Sequence, residues 1–236
     1  CDTKSDGTPK YIIKNFTQTV SPKGATLKEK YSGYKKDGKS GWECGLFGAA
    51  EGATFTNIVV LNANIKSTVE GSYQMNGDFS TNPGMDEQAA GILCSLAKNC
   101  NFTGCGVSGK VTSASNHVGG LVGHGENTNL TQCYSYATVK STGKWGSGGL
   151  AGSGTGKITE CFYEGTFTGS ETHAGALLGS YRDDRNVQIS DCYAAGTVTT
   201  KSSGCFLGTK NHEDSSNKEN IELTKNSFTM AKLKGN

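Results

Sequence analysis

Between Gly119 and Lys140 the chain reads Gly119-Gly120-Leu121-Val122-Gly123, a polar stretch, Leu130-Thr131-Gln132-Cys133-Tyr134, a small bend, and Thr138-Val139-Lys140. Apolar and polar residues alternate with a period of two, and glycine punctuates the segments. That pattern specifies short strands joined by tight turns rather than helices.

Outward from this stretch both halves recur in fixed order. The Gly-Leu cluster returns as Cys44-Gly45-Leu46-Phe47-Gly48, Gly148-Gly149-Leu150-Ala151-Gly152, Gly175-Ala176-Leu177-Leu178-Gly179 and Gly204-Cys205-Phe206-Leu207-Gly208, with a degenerate copy at Ala90-Gly91-Ile92-Leu93-Cys94. Its central residues Leu46, Ile92, Leu121, Leu150, Leu177 and Phe206 lie 46, 29, 29, 27 and 29 residues apart, so the first interval is a coil with an insertion. The Cys-bearing strand recurs as Phe102-Thr103-Gly104-Cys105, Ile158-Thr159-Glu160-Cys161-Phe162 and Ile189-Ser190-Asp191-Cys192-Tyr193, and Phe55-Thr56-Asn57 is a Cys-free copy.

A unit of about 28 residues cannot bury an apolar face by itself, whereas stacked units can. The expected fold is therefore all-β: a right-handed parallel β-solenoid whose equivalent strands pair about 4.8 Å apart. Glycine is assigned to the corners, where positive φ and close backbone approach are needed. Three regions follow: an opening coil or cap over 1–40, the repeat solenoid over 41–208, and a loop with a closing strand over 209–236. The last segment is either a cap or a strand delivered to a neighbouring molecule.

Gly-Gly-Leu-Val-Gly, then a polar loop, Ile-x-x-Cys-Tyr and Gly-x-Val, resembles the GLUG repeat of surface proteins, closely over 116–208 and loosely over 41–112. The resemblance implies an adhesin-like protein or an accessory region of a secreted protease, with no chemistry in the repeat itself. The zinc motif of the proteases in that group is absent from this sequence.

Composition narrows the class further. The net charge is +2 with no dense basic block, which argues against a nucleic-acid partner. The longest apolar run, Ile58-Val59-Val60-Leu61, is a strand's length, so no transmembrane segment is expected. Nine Cys without a C-x-x-C, together with three N-x-[ST] triplets, point to an extracellular or cell-surface glycoprotein without a structural zinc site or other cofactor.

Several residues are candidates for a role. Asn15, Asn101 and Asn129 are the glycosylation acceptors, and alternation turns Asn101 and Asn129 outward on adjacent coils. Cys105, Cys133, Cys161 and Cys192 form one stacked column, read as buried thiols in preference to disulfides because equivalent side chains point the same way. Cys44, Cys94, Cys100 and Cys205 lie outside that column and are the disulfide or thiol candidates, with Cys94–Cys100 the best local pair. Cys1 is the spare: lipidated, free, or linked to another chain.

Outward Thr pairs, Thr166/Thr168 and Thr197/Thr199, continue as Thr138/Lys140 and Lys110/Thr112, a pattern that raises ice binding but also suits any exposed strand. His117 and His173 share a position two coils apart, too far to hold one metal. Gly104-x-Gly106-x-x-Gly109 spells a dinucleotide fingerprint without the helix it needs. Asp183, Asp184 and Glu160 are the only acids placed for carbohydrate cleavage. The leading expectation is a non-enzymatic structural or adhesion protein with a glycan or host-matrix ligand, able to self-associate end to end into a fibre. A polysaccharide-acting β-helix enzyme and an ice-binding protein are the alternatives.

Overall fold

The computed structural model describes residues 4–6, 12–20, 44–68, 89–143, 146–154, 156–169, 173–181, 187–200, 203–204, 207–210, 221–224, 228–229 and 232–234. Among these the only regular structure is β, and every strand pairing is parallel. The chain is a parallel β-solenoid, as the 28-residue period requires.

One coil visits four sheets in turn. Sheet I has Gly106–Ser113, Tyr134–Ser141, Phe162–Thr168 and Tyr193–Thr199 at its centre. Sheet II contains His117–Gly119 and Gly146–Gly148. Sheet III contains Cys94–Lys98, Val122–Glu126, Ala151–Gly154 and Leu178–Tyr181. Sheet IV contains Asn101–Thr103, Asn129–Thr131, Gly156–Thr159 and Val187–Ser190. The short outer strands extend the same stacks. Ile12–Lys14 and Thr17–Val20 pair with Val59–Ser67, and Ile221–Thr224 pairs with Val187–Ser190. Phe228–Thr229 and Lys232–Lys234 pair with Tyr193–Thr199.

Register turns the alternation into buried columns. Phe55, Phe102, Leu130, Ile158 and Ile189 stack inward on sheet IV, with the Phe55 and Phe102 rings parallel at 4.5 Å. Ile65, Val111, Val139, Phe167 and Val198 do the same on sheet I. Each such side chain contributes roughly 1.5–3 kcal/mol on leaving water. At the turn between sheets II and III the buried column is Leu93, Leu121, Leu150 and Leu177. Leu93, not Ile92, is therefore the counterpart of Leu121, because Cys94 pairs with Val122; the preceding coil slips the degenerate copy by one residue. The insertion falls on 69–88, outside the described residues.

Glycine acts here mainly through close approach. A Cβ on Gly119 would meet the backbone of Val122 and Gly152, and one on Gly152 would meet the Val118 backbone. The first and last glycines of the motif thus let sheets II and III pack backbone to backbone, each strand of II against III of the following coil. Positive φ is carried mostly by other residues, which corrects the expectation from sequence. The corner before the Cys column is held by Asn57, Gly104, Gln132, Glu160 and Asp191, with φ of 52°, 62°, 54°, 53° and 52°. Gly, Asn and Asp tolerate the left-handed region best, which accounts for Asn57, Gly104 and Asp191 but not for Gln132 and Glu160.

Candidate functional site

The cysteine column forms as expected. Cys105, Cys133, Cys161 and Cys192 are buried free thiols. Each thiol donates to the carbonyl two residues earlier, at 3.5, 3.3, 3.1 and 3.1 Å. Sγ of Cys161 and of Cys192 in turn accept the N–H of the Cys one coil before, at 3.3 and 3.4 Å. Sulfur thus serves the buried Cys133 and Cys161 N–H groups, while the carbonyls of Thr103, Thr131, Thr159 and Ser190 each also accept a backbone N–H from the preceding coil. Cys44, Cys94 and Cys100 are also buried free thiols, so the suggested Cys94–Cys100 disulfide is absent. Their sulfurs serve local carbonyls instead, Cys94 that of Leu96 at 3.2 Å and Cys100 that of Lys98 at 3.2 Å. Burial pushes the Cys44 thiol up to about 12 and raises Cys94 further, which leaves both protonated and unreactive at neutral pH. Cys1 and Cys205 lie outside the described residues.

Asn101 and Asn129 do face outward on adjacent rungs, in register on sheet IV. They form an amide ladder, Asn129 Nδ2 donating to Asn101 Oδ1 at 2.9 Å while Asn129 Oδ1 accepts the Lys157 N–H at 3.0 Å. The threonines of both triplets occupy the neighbouring outward column, Thr56, Thr103, Thr131, Thr159 and Ser190. The N-x-T spelling at these two sites is thus also what two stacked polar columns produce. Asn15 is exposed and left-handed, with φ of 60°.

Glu160 sits in the left-handed corner and accepts a 2.8 Å hydrogen bond from Gln132 Nε2. Asp183 and Asp184, the other two acids singled out, lie outside the described residues, as do Arg182 and Arg185. His117 pairs in register with Gly146, which places His173 one rung beyond. The unforeseen neighbour is His124 of sheet III, whose ring lies 4.8 Å from that of His117 and whose Nδ1 bonds Ser153 Oγ. Among the described residues no three His, Cys, Asp or Glu side chains could hold a metal ion.

The most conspicuous outward arrangement lies on sheet I. The residue following each column Cys is aromatic in three successive coils, Tyr134, Phe162 and Tyr193, and the register stacks them. Ring centroids are 5.4 and 4.9 Å apart with planes 11° and 3° from parallel. Tyr136 stands edge-on to Tyr134 and Phe162, at 5.7 and 5.4 Å, and is 48% exposed. Desolvation raises the Tyr134 phenol above its ordinary range. The Tyr134 ring folds over Gly106, where a Cβ would collide with it. Beside the aromatics run two polar outward columns, Asn64-Lys110-Thr138-Thr166-Thr197 and Lys66-Thr112-Lys140-Thr168-Thr199. The anticipated Thr pairs are the far half of those columns. The aromatic half is missing from the sequence reading, although Cys-Tyr, Cys-Phe and Cys-Tyr recur there at a regular spacing.

No family model and no curated protein matches the chain. A solved structure does: that of a putative immunoglobulin A1 protease from Bacteroides ovatus, with a TM-score of 0.62 at 19% identity. The likeness is one of fold. It covers 96% of this chain and 60% of that one, so this chain spans less than two thirds of its neighbour. The expectation that the chain is not an enzyme does not stand against this match, because the neighbour's name is that of a protease. The aromatic and threonine columns, in contrast, carry no assignment from that likeness.

Proposed function

We propose that this chain is a structural and adhesion module of an extracellular or cell-surface protein, recognising its ligand along a lateral sheet. One observation carries the reading: the outer face of sheet I is a regular surface of in-register aromatic, threonine and lysine columns. Side chains repeated at the strand spacing suit a partner that is itself extended. The GLUG-like motif and the three acceptor triplets agree with a surface location. Immobilised protein should retain cells or matrix components, and that retention should fall when sheet I residues are changed but not when sheet IV residues are. Equal loss from both faces, or no retention, would count against the reading.

End-to-end assembly belongs to the same proposal. A parallel stack ends in strand edges that can template a further coil. Among the described residues, three of the four exposed large apolar side chains, Ile12, Ile13 and Phe47, lie on first strands of their sheets. Sedimentation across a concentration series should show polymers that changing Ile12 and Ile13 to Lys suppresses; a concentration-independent monomer would refute assembly.

A second reading follows from the fold neighbour: the chain is the solenoid part of a protease acting on immunoglobulin A1. Incubation with that immunoglobulin, followed by electrophoresis, decides it. Discrete heavy-chain fragments would support this reading, and an intact substrate after prolonged incubation would remove it.

A further inference from the structure

The chemistry of sheet I defines the partner more narrowly, on the premise that its outer face is the adhesive one. Its exposed charged residues in the register from Val59–Ser67 to Tyr193–Thr199 are Lys66, Lys110 and Lys140 against a single acid, Glu164. Lys66 and Lys140 share a column with Thr112 between them, so cations recur at roughly 9.6 Å, twice the inter-strand spacing. Lys110 lies in the adjacent column, beside Thr112 on the same strand. The lysines thus lie on the first three of these coils, in columns roughly 7–20 Å along the strand from those of Tyr134 and Tyr136, while Glu164 follows Tyr136 in its own column on the next rung.

The aromatic side restricts the ligand again. Tyr134, Phe162 and Tyr193 cover one another's faces at about 5 Å, leaving edges to the outside. A nucleic-acid base needs an open ring face for each stacking step, and the stack has none between its members. A sugar asks less: its C–H faces rest on an exposed ring such as Tyr136, while its hydroxyls exchange hydrogen bonds with Tyr and Thr hydroxyls. Thr138, Thr166, Thr168, Thr197 and Thr199 supply such hydroxyls on the same face.

We propose that an acidic polysaccharide lies along the outer face of sheet I, its rings on Tyr136 and the edge of the aromatic stack and its anionic groups on Lys66, Lys110 and Lys140. The chain runs obliquely across sheet I, from the lysine columns of the first coils to Tyr136 and the aromatic edge, so one glycan crosses several coils. Binding by several weak rungs makes the affinity dependent on glycan length and on salt.

Affinity electrophoresis through gels containing polygalacturonate, heparin or neutral dextran tests this on the full chain. Retardation by polygalacturonate, heparin or both, and not by dextran, is expected, and the pattern tells carboxylate from sulfate. Tyr136→Ala and the pair Lys110→Ala/Lys140→Ala should each weaken it about tenfold or more, as central contacts do. Unchanged melting temperatures show that the exposed substitutions leave the fold intact. Passage unretarded by both anionic gels, retardation by dextran as strong as by either, or retention indifferent to both variants would overturn the proposal. So would displacement by oligothymidylate at equal charge concentration, which would mark a surface for any polyanion. Retention on cells that survives Tyr136→Ala would leave the adhesion reading standing while removing this one.

Discussion

Replacing Gly152 by Ala tests the account of the repeat most directly. Gly152 has an ordinary backbone conformation, yet a Cβ there would lie 2.5 Å from Val118 N and 2.7 Å from Val118 C. Gly123 O of its own sheet lies as close, at 2.5 Å, and all three neighbours are backbone atoms, so no side chain can rotate away. Relief requires the two sheets to separate locally, and overpacking of that kind costs typically 1–3 kcal/mol. With backbone on both sides the upper end applies, about 3 kcal/mol, or roughly 6–12 °C in Tm for a chain of this length. Gly52 supplies the opposite control: its φ is 63° and nothing lies within 4 Å of where its Cβ would stand. Gly52→Ala should cost only the left-handed penalty, about 1–2 kcal/mol. Gly52→Asn should be almost neutral, since Asn99 and Asn127 hold the equivalent corner at φ of 51° and 46°. Thermal and urea unfolding followed by circular dichroism measure all three. A Gly152→Ala protein no less stable than wild type, or more stable than Gly52→Ala, would refute close sheet approach as the reason for the motif.

Other outcomes follow from the interior. Tyr163 is fully buried under the Gly149 turn and donates to the Ala137 carbonyl at 3.0 Å, so Tyr163→Phe should lower stability by about 1 kcal/mol in urea titrations. Native protein at pH 8 should leave the seven described cysteines unlabelled by a soluble thiol reagent, and denaturant should expose all of them; rapid native labelling of any would contradict the buried column. Because Cys44 is held up to about 12 from its ordinary 9.0, its contribution is complete below pH 9 and is lost as pH rises toward about 12. Urea midpoints of Cys44→Ala should accordingly fall less steeply across that window than those of wild type.

The alternation, the period of about 28 residues and the inward columns are legible in the sequence because each depends on local geometry. A strand places successive side chains on opposite faces, so Leu130 and Ile158 must face inward if Asn129 and Lys157 face out. The Cys column follows from the recurring strand motif at spacings of 28, 28 and 31 residues, and its thiol chemistry from the fact that stacked equivalent side chains diverge too little to close a disulfide. Leu93 reads in the sequence as lying beyond its column because the degenerate copy lacks the second glycine that marks the turn.

Contacts between different sheets are not legible in this way. His117 and His124 are separated by a tight turn, and only the crossing of sheets II and III brings their rings to 4.8 Å. Glu160 reads as a catalytic candidate by residue type, but the corner assigns it a left-handed backbone and a bond to Gln132. Tyr134, Phe162 and Tyr193 are visible individually, yet their stacking depends on rung spacing and on Gly106 yielding room for the first ring. The sequence by itself determined the repeat and which side chains fill it, through strand periodicity. The tertiary structure decided which outward columns lie beside one another, because that depends on how the coil bends between its sheets.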